Sequence, residues 1–277
     1  MSLLALIARV RSRPEDEMPS VESWRTLAER IYAKGVDVFN SCSVTPSEDG
    51  PRDPKVVALT LLARTLSTFE AATMLIDNGH VVEARTLARC SHENLFWAAA
   101  LVKEGEAFVE RMELHDAANR LKAAQNMLDW AKGQAAANTA LNQKLDAFRQ
   151  ALIADFGKDP PMIGQLQAAM LGGVADGYIA YRQLSGDAAH PSAWSLSRHV
   201  SWDKNASLFS LHATPILTAN EAQDTYHLLC SATLAVVVAA HDMVGPVGEG
   251  ETLDALWSDF KVLSTAEAQV DAAADRT

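Results

Sequence analysis

Cysteine is scarce in this chain: Cys42, Cys90 and Cys230 are its only three, far apart and without a CxxC spacing. That excludes a disulfide framework and a Cys-rich zinc site, and it points to a reducing, cytoplasmic setting. Positive charge is also short, with 24 Lys and Arg against 35 Asp and Glu and a formal net charge of −11. A broad, unspecific grip on nucleic acid needs clustered cations and is disfavoured, although a small basic site stays open. Long apolar runs are missing too. The longest, "LLCSATLAVVVAA" (228–240), contains Ser231 and Thr233 and falls short of the ~20 residues a bilayer requires, so it reads as a buried core helix with no membrane partner. The opening "MSLLALIARVRSRP" has a short apolar run broken by Arg9, with no positive region before it, which is unlike a secretory signal. Strand-like alternation is nearly absent, no internal repeat is visible, and no cofactor is expected.

What remains is helical periodicity almost throughout. The length of 277 residues and 48% hydrophobic content suit one large domain or two small ones. Asp53 as N-cap and Pro54 at the first helical position open a helix with Leu59, Leu62, Leu66, Phe69 and Ile76 on one face, and Asn78-Gly79 stops it. A second helix, 80–103, carries Ala84, Leu87, Ser91, Leu95, Ala98 and Val102, and so short a turn implies an antiparallel hairpin. A third, 106–132, carries Ala107, Leu114, Ala118, Leu121 and Leu128. Shorter helices are predicted over 139–156, 161–171 and 174–185. Thr218 and Glu221 form a capping box, opening a helix with Ala222, Tyr226, Leu229, Thr233, Val236 and Ala240 inside, ended by Gly245-Pro246. Trp97, Trp130 and Trp257 are expected to fill helix contacts.

The fold expected is therefore all-α: an up-and-down bundle of four or five long helices with an N-terminal helical extension and a long ordered loop. Residues 1–50 form the extension and linker, with a helix of roughly 20–43 whose Trp24, Leu27, Ile31 and Val38 need cover. Residues 51–264 form the bundle, and 265–277, small, polar and acidic, reads as a frayed tail. The stretch 186–217 has no sustained period and reads as a loop with one short helix. Loops of that length are often functional.

Two polar stripes could carry chemistry. Arg85, Arg89, His92 and Phe96 fall on one helix face, with Glu93 a turn after Arg89. Two guanidiniums beside an imidazole could hold a phosphate or carboxylate. Alternatively, Arg89 and Glu93 form an ordinary intrahelical pair on a solvated edge. Tyr178, Tyr181, Arg182 and Ser185 form the second stripe, and His190 could be brought back to it by the Gly186 turn. Otherwise Arg182 caps helix-end carbonyls while Asp187 and Ser192 organise the turn.

The combination of "EARTLARCSHENLFWAAAL" and, much later, "YIAYRQLSGDAAHPS" resembles a family of bacterial all-helical proteins known only as a domain of unknown function. Arg85, Arg89, Glu93, Tyr181, Leu184, Ser185 and His190 carry the likeness, over about 55–245. A weaker likeness is to the HEPN superfamily, helical bundles that include metal-independent RNases using an Arg, four to six residues and a His. Here seven residues separate Arg182 from His190, a departure from that pattern. The resemblance implies that His190 would take a 2′-hydroxyl proton and Arg182 would stabilise phosphate charge, in a site composed across a dimer.

Metal binding is a further alternative: Asp224 and His227 lie i, i+3, with His115 or His92 offered by other helices, but no matched Glu-x-x-His motifs occur. The leading expectation is a cytoplasmic bundle with a polar pocket of Arg85, Arg89, Glu93, Tyr181, Ser185 and His190. Such a pocket would be open to a small anion or a protein partner. The rival is a metal-independent endoribonuclease with Arg182 and His190 as the reactive pair and RNA as its partner. Exposed apolar helix faces make a homodimer an expectation in either case.

Overall fold

Asp53 accepts a hydrogen bond from the Lys55 backbone N–H at 2.8 Å, with Pro54 next in line, and this N-cap starts a 24-residue helix where the sequence places it. In the computed structural model, which describes residues 19–44, 50–132, 139–203, 205, 207–245 and 251–274, the elements follow in order. They are α1 (Val21–Ser41), α2 (Pro54–Asp77), α3 (Val81–Glu104), α4 (Glu106–Lys132), α5 (Thr139–Phe156), α6 (Gln165–Gly172) and α7 (Gly177–Leu184). A π-helical turn (Ser185–Ala189), α8 (Ala193–Ser197), strands β1 (Val200–Asp203) and β2 (Leu208–Leu211), α9 (Glu221–Val244) and α10 (Leu253–Ala274) complete the chain. The N-terminal run 1–14 and Pro246 lie outside the described residues. The protein is all-α apart from the small two-stranded sheet.

Helices α1, α2, α3 and α9 pack on one another to form the centre, with α6 laid against α3. Two apolar clusters fill it. One joins Val38, Leu62, Leu66, Phe96, Leu101 and Val236, while the other joins Trp24, Ile31, Phe69, Tyr226, Leu229 and Leu256. The α1 face of Trp24, Leu27, Ile31 and Val38 is buried completely or nearly so, because two apolar residues per turn gain most from cover. Trp24 stacks on His227 and meets Phe260 of α10 edge-on. By length and composition α2 and α9 could cross a membrane; their apolar side chains supply these two clusters.

Several details depart from periodicity. Along α4, Phe108, Val109 and Ala117 join Ala118 and Leu121 inside, whereas Ala107 is exposed and Leu114 and Leu128 are only half-buried. The larger Phe108 has more area to remove from water than Ala107, and it rotates the helix toward itself. Trp97 packs edge-on to Phe108 of the next helix, as expected, whereas Trp130 is 70% exposed and Trp257, 47% exposed, stacks on Phe260 of its own helix. The helices predicted over 161–171 and 174–185 start later, at Gln165 and Gly177. Gly172 passes so close to α3 that an added Cβ would sit 2.6 Å from the Ala99 Cβ and 2.8 Å from the Ala100 nitrogen. The loop expected over 186–217 holds a π turn, a short helix and a β-hairpin; four-residue strands are too short to show a period. At the far end, α10 continues to Ala274, into the stretch read as a frayed tail. Alanine, abundant there, is the strongest helix former.

Candidate functional site

Helix α3 packs against α2, α6 and α9, and its Arg85 side chain is only 5% exposed. A guanidinium at that depth requires counter-charge, and three segments distant in sequence supply it. Arg85 Nε donates to Asp187 Oδ2 at 2.6 Å and lies 3.8 Å from Glu221 Oε1, and its terminal nitrogen reaches Thr225 Oγ1 at 3.4 Å. Arg198 approaches the same carboxylates from the other side. Its Nε donates to Asp187 Oδ1 at 2.8 Å, a terminal nitrogen lies 2.7 Å from both Asp187 oxygens, and that nitrogen also pairs with Glu221. Two cations and two anions thus close a neutral quartet, with Asp187, Glu221 and Thr225 all buried.

The local chain explains how Asp187 arrives there. Past Leu184 the helix widens into a π turn, a rare geometry that often marks functional sites. Gly186 offers its carbonyl to the Ser192 hydroxyl at 2.6 Å, and Ser192 and Ser195 form a capping box on α8. The turn is therefore pinned from both ends, with Asp187 directed inward and Gly186 and His190 exposed.

One turn further along α3, Arg89 builds a second network. Its Nε donates to Ser185 Oγ at 2.8 Å, a terminal nitrogen donates to the Tyr181 hydroxyl at 3.2 Å, and Glu93 lies 2.8 Å away. The guanidinium also sits 5.2 Å from the Tyr181 ring centroid, in cation–π range. Phe96 packs against both Tyr178 and Tyr181. The two polar stripes therefore face each other across the α3–α7 contact. The Arg89–Glu93 pair exists, but it lies on this contact and not on an open solvated edge.

The imidazoles behave differently. His92 is 3% exposed, and burial pushes its pKa down to about 4, opposed by the nearby Leu228 carbonyl; neither ring nitrogen has a well-formed hydrogen bond. It is a neutral packing group beside Phe96. His190 is exposed and its carbonyl accepts from the Ser192 N–H and the Ser195 hydroxyl. Of the residues considered for a metal, the other imidazoles have packing or hydrogen-bond partners. His227 is taken up by Trp24 and Phe260, and His115 by Trp97, Asn119 and the Ile163 N–H. No group of three metal-ligating side chains occurs among the described residues, since an isolated i, i+3 spacing says nothing about which helix lies opposite.

Outside the quartet lies a cleft of about 620 Å³ lined by Arg85, Arg182, Asp187, Trp194, Arg198 and Glu221 among others. Of the expected site residues it takes Arg85 and Arg182; Arg89, Glu93, Tyr181, Ser185 and His190 stand outside its lining. Arg182 is exposed and, among the described residues, has no ion pair. A family profile described as a family of unknown function, DUF5677, matches residues 55–207, more than half of the chain. The chain belongs to that family. No curated protein and no solved structure matches it, and the likeness to the HEPN superfamily gains no support. The DUF5677 match takes in Arg85, Arg89, Asp187 and Arg198, and leaves Glu221 and Thr225 on α9 beyond its end.

Sequence reasoning missed Arg198, Glu221 and Thr225 as site residues, and it assigned Asp187 to turn geometry. Arg198 stands alone in an aperiodic segment and offers no signal. Glu221 accepts from the Thr218 N–H at 3.1 Å, one half of the expected capping box, although the N-cap is Asn220 and makes no side-chain cap bond; this local bond concealed its second partner.

Proposed function

We propose that this chain is a binding protein for a small anionic molecule, received in the cleft bounded by α7, the π turn, α8 and the start of α9. The observation that carries this reading is the unequal state of the three arginines lining it. Arg85 and Arg198 are neutralised by Asp187 and Glu221, and Asp224, the third carboxylate of the lining, has an interaction of its own. Arg182 has no ion pair among the described residues and offers a planar fork of donors that matches a carboxylate or phosphate. Trp194, 42% exposed, supplies an aromatic wall beside it. A volume near 620 Å³ lies within the range of small-molecule sites. The quartet's task is positional: it ties α3, the π turn, Arg198 and α9 together and holds the cleft wall in one conformation. A cytoplasmic location belongs to the same reading, supported by three free cysteines.

The test is calorimetric titration with inorganic phosphate, nucleoside monophosphates and aromatic carboxylates, on the wild type and Arg182→Ala. Binding that drops about tenfold or more in Arg182→Ala, the loss expected for a charged hydrogen bond, with unchanged thermal stability supports the reading. Equal binding by both proteins overturns it. RNA cleavage that persists with a chelator and vanishes in His190→Ala would replace it with the endoribonuclease.

A further inference from the structure

Strands β1 and β2 pair antiparallel with Val200 opposite Leu211 and Trp202 opposite Phe209. The His212 N–H donates to the His199 carbonyl at 2.9 Å. Hydrogen-bonded and non-hydrogen-bonded pairs alternate along such a ladder, so Val200–Leu211 and Trp202–Phe209 are the close, non-hydrogen-bonded pairs. Their four side chains share one face, with the Trp202 and Phe209 rings 4.3 Å apart. The opposite face carries Ser201, Asp203 and Ser210 with Leu208. This is the pattern of a hairpin that rests its apolar face on something.

Nothing described in the chain covers that face. Val200, Trp202, Phe209 and Leu211 are 37%, 46%, 70% and 83% exposed, and outside its own pairing the hairpin's main neighbour is α8. A lone two-stranded hairpin is marginal in water.

We propose that this face is the contact surface for a second copy of the chain, two hairpins stacking face to face about a twofold axis. Charge favours that occupant. The face carries no ionisable group in a chain of net charge −11. It therefore complements an equally neutral apolar face and brings no like charges together, and a surface that meets itself closes as a dimer. Area agrees. With aromatic side chains worth about 150–250 Å² each, these four residues present on the order of 500 Å² per copy, close to the ~600 Å² per partner of small specific interfaces.

Sedimentation velocity of the full chain across micromolar concentrations tests this, with Phe209→Asp and the milder Leu211→Ser as interface variants and Leu208→Asp as the opposite-face control. The expected result is a wild-type dimer, a control dimer, and dissociation constants raised about 30-fold or more in both interface variants, with far-UV circular dichroism unchanged. A monomeric wild type overturns the proposal, whether or not it binds other proteins. So does a dimer that both interface variants leave intact. The outcome is independent of the cleft reading, since Arg182→Ala is expected to dimerise normally.

Discussion

Replacing Asp187 by alanine removes the acceptor on which two arginines converge. In the folded protein its carboxylate takes Arg85 Nε at 2.6 Å and three Arg198 contacts at 2.7–2.8 Å. After the substitution, side chains only 5% and 12% exposed keep a single counter-charge, Glu221. Breaking a buried ion pair by removing one partner costs about 3–5 kcal/mol, because the other charge stays desolvated. At roughly 2–4 °C per kcal/mol for a domain approaching this size, the melting temperature falls by roughly 10 °C. Urea denaturation should show the lower midpoint with an unchanged m value. A double-mutant cycle of Asp187→Ala with Arg198→Ala then isolates the pair, with a coupling energy of about 0.5–3 kcal/mol. If Asp187→Ala loses under about 1 kcal/mol, as exposed pairs do, and the coupling is zero, the buried quartet is refuted and the cleft loses its floor.

His92 gives a pH signature. Its folded pKa of about 4 lies below the 6.5 of an ordinary imidazole because burial disfavours the charged ring, so the unfolded chain binds a proton that the folded one refuses. The stability is fully present above pH 6.5 and is lost as pH falls toward 4, about 3 kcal/mol in all. Urea titrations at several pH values should show this slope in the wild type and a smaller one in His92→Leu; equal slopes would rule it out. Gly172→Ala should destabilise by about 1–3 kcal/mol, since the new Cβ meets α3 backbone and not a flexible side-chain end. A thermal melt within a degree of wild type would show that α6 can shift freely.

The helices were legible because their signals are local. Asp53-Pro54 and Asn78-Gly79 punctuate α2 in the sequence and in the fold alike, and the Tyr226, Leu229, Thr233 and Val236 face of α9 is buried as its spacing requires. The hairpin was not legible, since "VSWD" and "LFSL" are too brief for a period to emerge from the serine-rich stretch around them. The candidate site was half legible. Arg89, Tyr181 and Ser185 stood out because two helix stripes were too polar for an ordinary core, and they do meet.

By itself, then, the sequence determined the all-α class, the ends of the best-capped helices and the two polar stripes, all set by contacts within a few residues. Only the tertiary structure decided that Arg85, Asp187, Arg198 and Glu221 form one buried quartet, and that among the described residues Arg182 is the lining arginine without an ion pair. Those four residues come from α3, the π turn, the end of α8 and α9, and no spacing along the chain encodes which distant carboxylate a buried guanidinium will find. Its partners are chosen by packing, because a charge taken out of water is stable only where other segments bring its counter-charge.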